Sequence, residues 1–209
     1  MPELCDNQPY QTMLSAARER LRGLDISAAA ARAGMEYDSE RGTIDFVSFG
    51  EKGRLFLPDW RVEGDFTVWQ HIAVLQILES PDTPPPIGEW VSIRTLEPGA
   101  ASRGESFDRK INALAASRLG KNPEEIIRRA CLKLGGELTK YRSADLSAVF
   151  QFLPGYPYLF NLWFADEEFP ASGKVLIDAA AGRGLGLEAA GTMAELLMEK
   201  LCNFCEADA

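Results

Sequence analysis

Tyr156-Pro-Tyr-Leu-Phe-Asn-Leu-Trp-Phe-Ala-Asp166-Glu167-Glu168-Phe169-Pro170 is an apolar, aromatic-rich run that stops on three adjacent carboxylates. Aromatic and apolar residues over a short span predict a strand from Tyr158 to Ala165. Tyr156, Tyr158, Phe160, Trp163 and Phe164 alternate imperfectly, so the strand is expected to be covered on both faces. The charges mark the place where a buried sheet meets solvent. Ser147 to Leu153 and Lys174 to Ala179 read as its neighbours, joined to it by short Pro- and Gly-containing turns. Connections of two to about eight residues favour antiparallel pairing over crossovers.

Outward from this trio the periodicity changes. Asn122-Pro123-Glu124-Glu125 supplies an N-cap, a proline at the first helical position and acids in the first turn, with Gly135-Gly136 as the stop. Leu187 to Phe204 is the closing helix, and Phe107, Ile111, Leu114 and Ala115 mark another that ends at Gly120. Val68, Ile72, Leu75 and Leu78 define a buried helix within Phe66 to Glu79, which Pro81 and Pro84 to Pro86 prevent from continuing. Two short helices, Gln11 to Arg22 and Ile26 to Ala33, open the chain. Met35 to Tyr37, Ile44 to Phe49 and Arg54 to Leu57 form a strand meander, and Trp90 to Arg94 adds another strand. The class is α+β, a mostly antiparallel sheet with helices packed on one face. Residues 1–209 read as a single domain, with the Pro-rich connector 81–87 as the possible lobe boundary.

The chain has 209 residues, 46 % of them hydrophobic, and a net charge of −9. That acidity argues against binding to nucleic acid or anionic membrane, which need a basic surface. No segment approaches the roughly 18 to 20 apolar residues of a membrane span, and the start lacks the pattern of a signal peptide. A cytoplasmic location is expected. Cys5, Cys131, Cys202 and Cys205 are too few and too unevenly spaced for a disulfide framework, so reduced thiols are expected.

Gly88-Glu-Trp90-Val-Ser-Ile-Arg94, the Leu-Gly-Gly136 after a capped helix, Phe152-Leu-Pro154, Leu162-Trp163 through Ala171 and Val175-Leu-Ile-Asp178 together resemble domain of unknown function 3786. The Asp-Glu-Glu-Phe-Pro-Ala box is the most specific part of the likeness. The resemblance implies a similar fold. It also implies a setting in anaerobic bacteria and archaea, where some members carry an N-terminal domain with cysteines of the kind that bind a four-iron cluster. It implies no activity. After Asp178 the segment Ala-Ala-Ala-Gly-Arg-Gly-Leu-Gly departs from the family's aromatic and acidic stretch.

Asp166, Glu167 and Glu168 are candidates for a divalent metal or for acid/base work, because crowded carboxylates coordinate hard cations or hold a proton. The competing reading is a solvated turn that protects a strand end. Asp178 ends the following strand, and Arg94 is the natural bidentate partner for one of these carboxylates, in a site or in a structural ion pair. Cys202 and Cys205 have metal or redox spacing but supply two of four zinc ligands, so a metal or an iron-sulfur cluster would need Cys5, Cys131 or His71 to converge on them. His71 alone is more simply a satisfied core histidine. The glycines from Gly182 to Gly186 imitate a nucleotide-binding turn without the spacing or the following strands. No nucleophilic triad is recognisable.

No catalytic constellation is complete. The expected function is an accessory or binding protein of anaerobic redox or cofactor metabolism, with a protein partner or a small-molecule ligand. The alternative is an enzyme that uses the carboxylates and Arg94 for metal-assisted or acid/base chemistry on a small substrate.

Overall fold

A computed structural model describes residues 8–81, 85–99 and 101–207. Cys5 and residues 82–84 of the proline-rich connector, on which the possible lobe boundary falls, lie outside the described residues. Helices α1 (Gln8–Leu21) and α2 (Ile26–Arg32) lead into a meander of β1 (Glu36–Asp38), β2 (Thr43–Ser48), β3 (Glu51–Phe56) and β4 (Arg61–Glu63). Helix α3 (Val68–Glu79) follows, then β5 (Trp90–Ser92), a 3-10 turn at Ile93–Thr95 and α4 (Ala101–Ser117). Next come α5 (Glu124–Lys133), β6 (Glu137–Thr139), β7 (Leu146–Gln151), β8 (Pro157–Trp163) and β9 (Ser172–Asp178). Helices α6 (Ala179–Leu185) and α7 (Leu187–Ala207) complete the described chain.

The α+β class holds, and every strand pairing is antiparallel. The strands form two sheets, one ordered β1-β2-β3-β4 and one ordered β5-β9-β8-β7-β6. The second is built on the expected trio, with β8 at its centre. Its helix-facing side carries Ala148, Phe150, Tyr158, Phe160, Leu162, Val175 and Ile177, all within the main core. On the reverse side Leu159 and Leu176 are shielded as cross-strand partners, and Ser147 Oγ donates to Asn161 Oδ1 at 2.8 Å between neighbouring strands. Lys174 and Gln151 on that side are exposed. The cover on both faces of β8 is thus helical on one side and comes partly from its own neighbours on the other.

Local chemistry explains several boundaries. Thr67 and Gln70 form a reciprocal capping box at the start of α3, the Gln70 amide donating to Thr67 Oγ1 at 3.2 Å and the Thr67 amide to Gln70 Oε1 at 3.1 Å. The start of α5 differs from expectation: Pro123 occupies the N-cap position, and Asn122 donates its side-chain amide backward to the carbonyls of Arg118 and Leu119. Those carbonyls lie at the end of α4 and in the 3-10 turn that follows it, and the Leu119 carbonyl also accepts the Asn122 backbone amide at 3.1 Å. Glu124 pairs with Arg128 one turn on.

The two sheets meet at the β2–β3 turn. Phe49 has a left-handed backbone (φ 47°), and its amide donates to the Gln151 carbonyl at 2.9 Å, bonding the end of β2 to the end of β7. Its fully buried ring packs against Phe152 and Tyr158, with centroids 5.6 and 5.9 Å away. Burying a ring of this size contributes about 1.5 to 3 kcal/mol. Next to it, Gly50 (φ 75°) lies so close to Gly135 (φ 72°) that a Cβ on Gly50 would stand 2.7 Å from the Leu134 carbonyl carbon. Lys200 of α7 also reaches back to Glu51 at 2.7 Å. One continuous apolar core includes residues of both sheets and of α1 to α7.

Candidate functional site

Strand register sets the positions of the sequence candidates. Trp163 pairs with Ser172 at one end of β9, so the acidic box that follows Trp163 lies at that end. Asp178 pairs with Trp90 at the other end, six residues along β9 and therefore about 20 Å away. The sheet keeps them apart.

Asp166, Glu167 and Glu168 are all exposed. Asp166 Oδ1 accepts the amides of Glu168 at 2.9 Å and Phe169 at 2.7 Å, and its own amide donates to the Phe169 carbonyl at 3.0 Å. The box is therefore a tight turn. The Phe169 amide, with that of Glu168, holds the Asp166 carboxyl below the ordinary aspartate range, which keeps it ionised and ill suited to carrying a proton.

Asp178 is fully buried and fully engaged. One oxygen caps α6 by accepting from Ala180 and Ala181, and the other accepts from Ile87 at 3.0 Å and Gly88 at 2.7 Å. The glycine-containing stretch read as a turn is this helix, with Gly182 packed against Leu96 and Ile177. Both neighbours of β9 are antiparallel, so no nucleotide-binding crossover exists there.

Arg94 does not end a strand. Ser92 ends β5, its carbonyl accepts from Thr95 Oγ1 at 2.7 Å, and the chain turns so that Arg94 lies beside Gly104 of α4. Its guanidinium is 3.8 Å from Glu105, both side chains being more than half exposed. Such a pair is worth about 0 to 1 kcal/mol. Arg94 thus joins neither Asp178 nor the acidic box.

Cys202 and Cys205 face inward from the last turns of α7 and are buried, as is Cys131 on α5. Burial pushes the Cys131 thiol up to about 12 and the Cys202 thiol up to about 11, which keeps both protonated at neutral pH. Among the described residues, no group of three or more His, Cys, Asp or Glu side chains is placed to hold a metal ion. His71 is a satisfied core histidine: Nε2 lies 2.7 Å from the Trp60 carbonyl and Nδ1 lies 2.9 Å from the Tyr10 hydroxyl. A carbonyl only accepts, so Nε2 carries the proton and the neutral ring accepts from Tyr10. Desolvation lowers the His71 pKa below its ordinary value.

What the structure does bring together is a groove of about 660 Å³ where α1, α3, α4 and α7 meet. Trp69 and Met13 stand at its mouth, 48 % and 41 % exposed, while Phe107, Met193 and Leu196 supply apolar wall. Gly191 of α7 shapes it, since a Cβ there would lie 2.4 Å from the Phe107 ring. Glu188, Glu195 and Glu199 rim the groove on α7, and Lys110 answers Glu195 at 2.6 Å and Glu199 at 3.5 Å. Hydrogen bonding to Glu195 raises the Lys110 pKa, so this cation stays charged. Gln76 Nε2 donates to the Leu185 carbonyl at 2.9 Å and ties α3 to the α6–α7 corner.

Sequence reasoning passed over the groove because its residues come from four helices far apart in the chain. One signal was present: Trp69 lies off the stripe Val68, Ile72, Leu75 and Leu78, and a tryptophan on the outward face of a buried helix is unusual.

Fold and groove together define an α+β protein with two antiparallel sheets and a helix-lined, largely apolar concavity. The family model described as "Domain of unknown function (DUF3786)" matches residues 25–200, and the chain belongs to that family. No curated protein and no solved structure matches it. Among the described residues, no helix is long and apolar enough to cross a membrane.

Proposed function

We propose that this chain is a binding protein, a cytoplasmic accessory of anaerobic redox or cofactor metabolism, whose ligand sits in the groove between α1, α3, α4 and α7. The observation that carries the reading is the half-exposed Trp69 beside Met13 at the mouth of a 660 Å³ concavity. Small-molecule sites span about 300 to 1,000 Å³ and combine apolar walls with a few polar groups. The occupant is therefore a small molecule with an apolar body, and the glutamates at the rim favour one that is neutral or cationic. The metabolic setting rests on the family resemblance, and the location on the sequence pattern alone.

An NMR screen of the full chain against neutral and cationic aromatic and aliphatic fragments tests this reading. Expected are hits whose shifts cluster at Met13, Trp69, Met193 and Leu196 and vanish in Trp69→Ala while folding is retained. Hits elsewhere, or none at this groove, would sink it. So would substrate turnover abolished by Glu168→Gln, which would restore the carboxylate enzyme.

A further inference from the structure

A second pocket, of about 500 Å³, is opposite in sign to the chain as a whole. It lies where the β6–β7 hairpin meets α5 and is lined by Arg128, Thr139, Lys140, Arg142, Ser143 and Asp145. The chain carries −9 overall, yet here three cations face one lining carboxylate. Arg128 is held by Glu124, with Nε donating to Oε1 at 2.6 Å. Asp145 is turned to the backbone, its Oδ2 accepting the Phe164 amide at 2.8 Å. Arg142 has a left-handed backbone (φ 50°), and its guanidinium lies 5.1 Å from the centre of the Tyr141 ring. Among the described residues, neither Lys140 nor Arg142 meets a carboxylate, and the hydroxyls of Thr139 and Ser143 make no hydrogen bond.

We infer that this pocket binds the phosphoryl group of a small phosphorylated ligand. A phosphoryl group offers several oxygens to a cluster of this composition. Guanidinium forks bind such oxygens two at a time, an ammonium serves as a point charge, and hydroxyls donate to what remains. Each of those donor types is present and two of the three cations have no competing anion. The acidic balance of the rest of the molecule selects for small ligands, because an extended polyanion would be repelled wherever it ran beyond the pocket by more than a Debye length, about 8 to 10 Å. This site is independent of the helix-lined groove, and its ligand is anionic where the groove favours a neutral or cationic one.

Inorganic pyrophosphate titrated into the isotope-labelled full chain at low salt is the test. Saturable amide shifts are expected at Thr139 to Ser143, with affinity at least tenfold weaker in Lys140→Ala/Arg142→Gly. Glycine at 142 preserves the left-handed turn while removing the cation. Should that pair fail to fold, Lys140→Gln alone is expected to weaken binding several-fold. Lys174→Ala, at an exposed lysine on β9, leaves the affinity unchanged. Shifts that never saturate, shifts that follow Lys174 equally, or an unaltered affinity in the hairpin variants would overturn the inference.

Discussion

Four main-chain N–H groups converge on the two oxygens of Asp178, from Ala180 and Ala181 on one side and from Ile87 and Gly88 on the other. A carboxylate that accepts this many bonds is held by the backbone and has no lone pair directed at a substrate. Asp178→Asn replaces one acceptor oxygen with a donor. The amide can keep the α6 cap only by turning its NH₂ toward the Ile87 and Gly88 amides. An unpaired buried donor costs about 1 to 3 kcal/mol, so the variant is expected to lose about that much stability in urea titration. Hydrogen exchange at Ile87 and Gly88 should accelerate in the same sample, and a variant as stable as the parent would show that these bonds contribute nothing. The type and position of Asp178 were legible in the sequence. Its role was not, because two of its partners lie about ninety residues away, beyond a proline-rich segment with no periodicity to reveal the approach.

Elements with strong periodicity were readable and those without it were not. Strands β7, β8 and β9 and helices α3, α5 and α7 announce themselves by apolar spacing and caps. By contrast β4 (Arg61–Glu63) and β6 (Glu137–Thr139) are three-residue edge strands rich in polar side chains, and their partners rather than their own residues define them. Helix α6 hides behind two glycines that in isolation disfavour helix. His71 joins three elements: it sits on α3, bonds Tyr10 of α1, and bonds the Trp60 carbonyl in the turn between β3 and β4. Because burial lowers its pKa in the folded chain, the unfolded chain binds its proton more readily. Stability is therefore expected to fall as pH drops below about 6.5, the unfolded value, until the folded imidazole also protonates, with a slope of at most about 1.4 kcal/mol per pH unit. His71 is the chain's one histidine. Urea midpoints at pH 7.5 and 5.5 should differ for the parent and converge in His71→Gln; an equal drop in both would place the proton elsewhere.

At the scale of the molecule, the two sheets are joined through main chain at Gly50 and Gly135. Gly50→Ala strains a backbone at φ 75° and sets a methyl 2.7 Å from the Leu134 carbonyl carbon. Strain and overpacking together should cost about 2 to 4 kcal/mol. Gly23→Ala is the matched control, since φ is 86° there but nothing lies within 4 Å of the added carbon, so only the backbone term of about 1 kcal/mol applies. Equal losses in the two variants, measured by denaturant unfolding, would show that the close approach carries no energy. A union of this kind has a further consequence for how the family can diverge. Where side chains touch, enlargement on one partner can be offset by reduction on the other, and paired changes record the contact. At Gly50 and Gly135 neither partner has anything left to give up, so relatives that keep this junction should show two silent columns of glycine, touching in space and statistically mute.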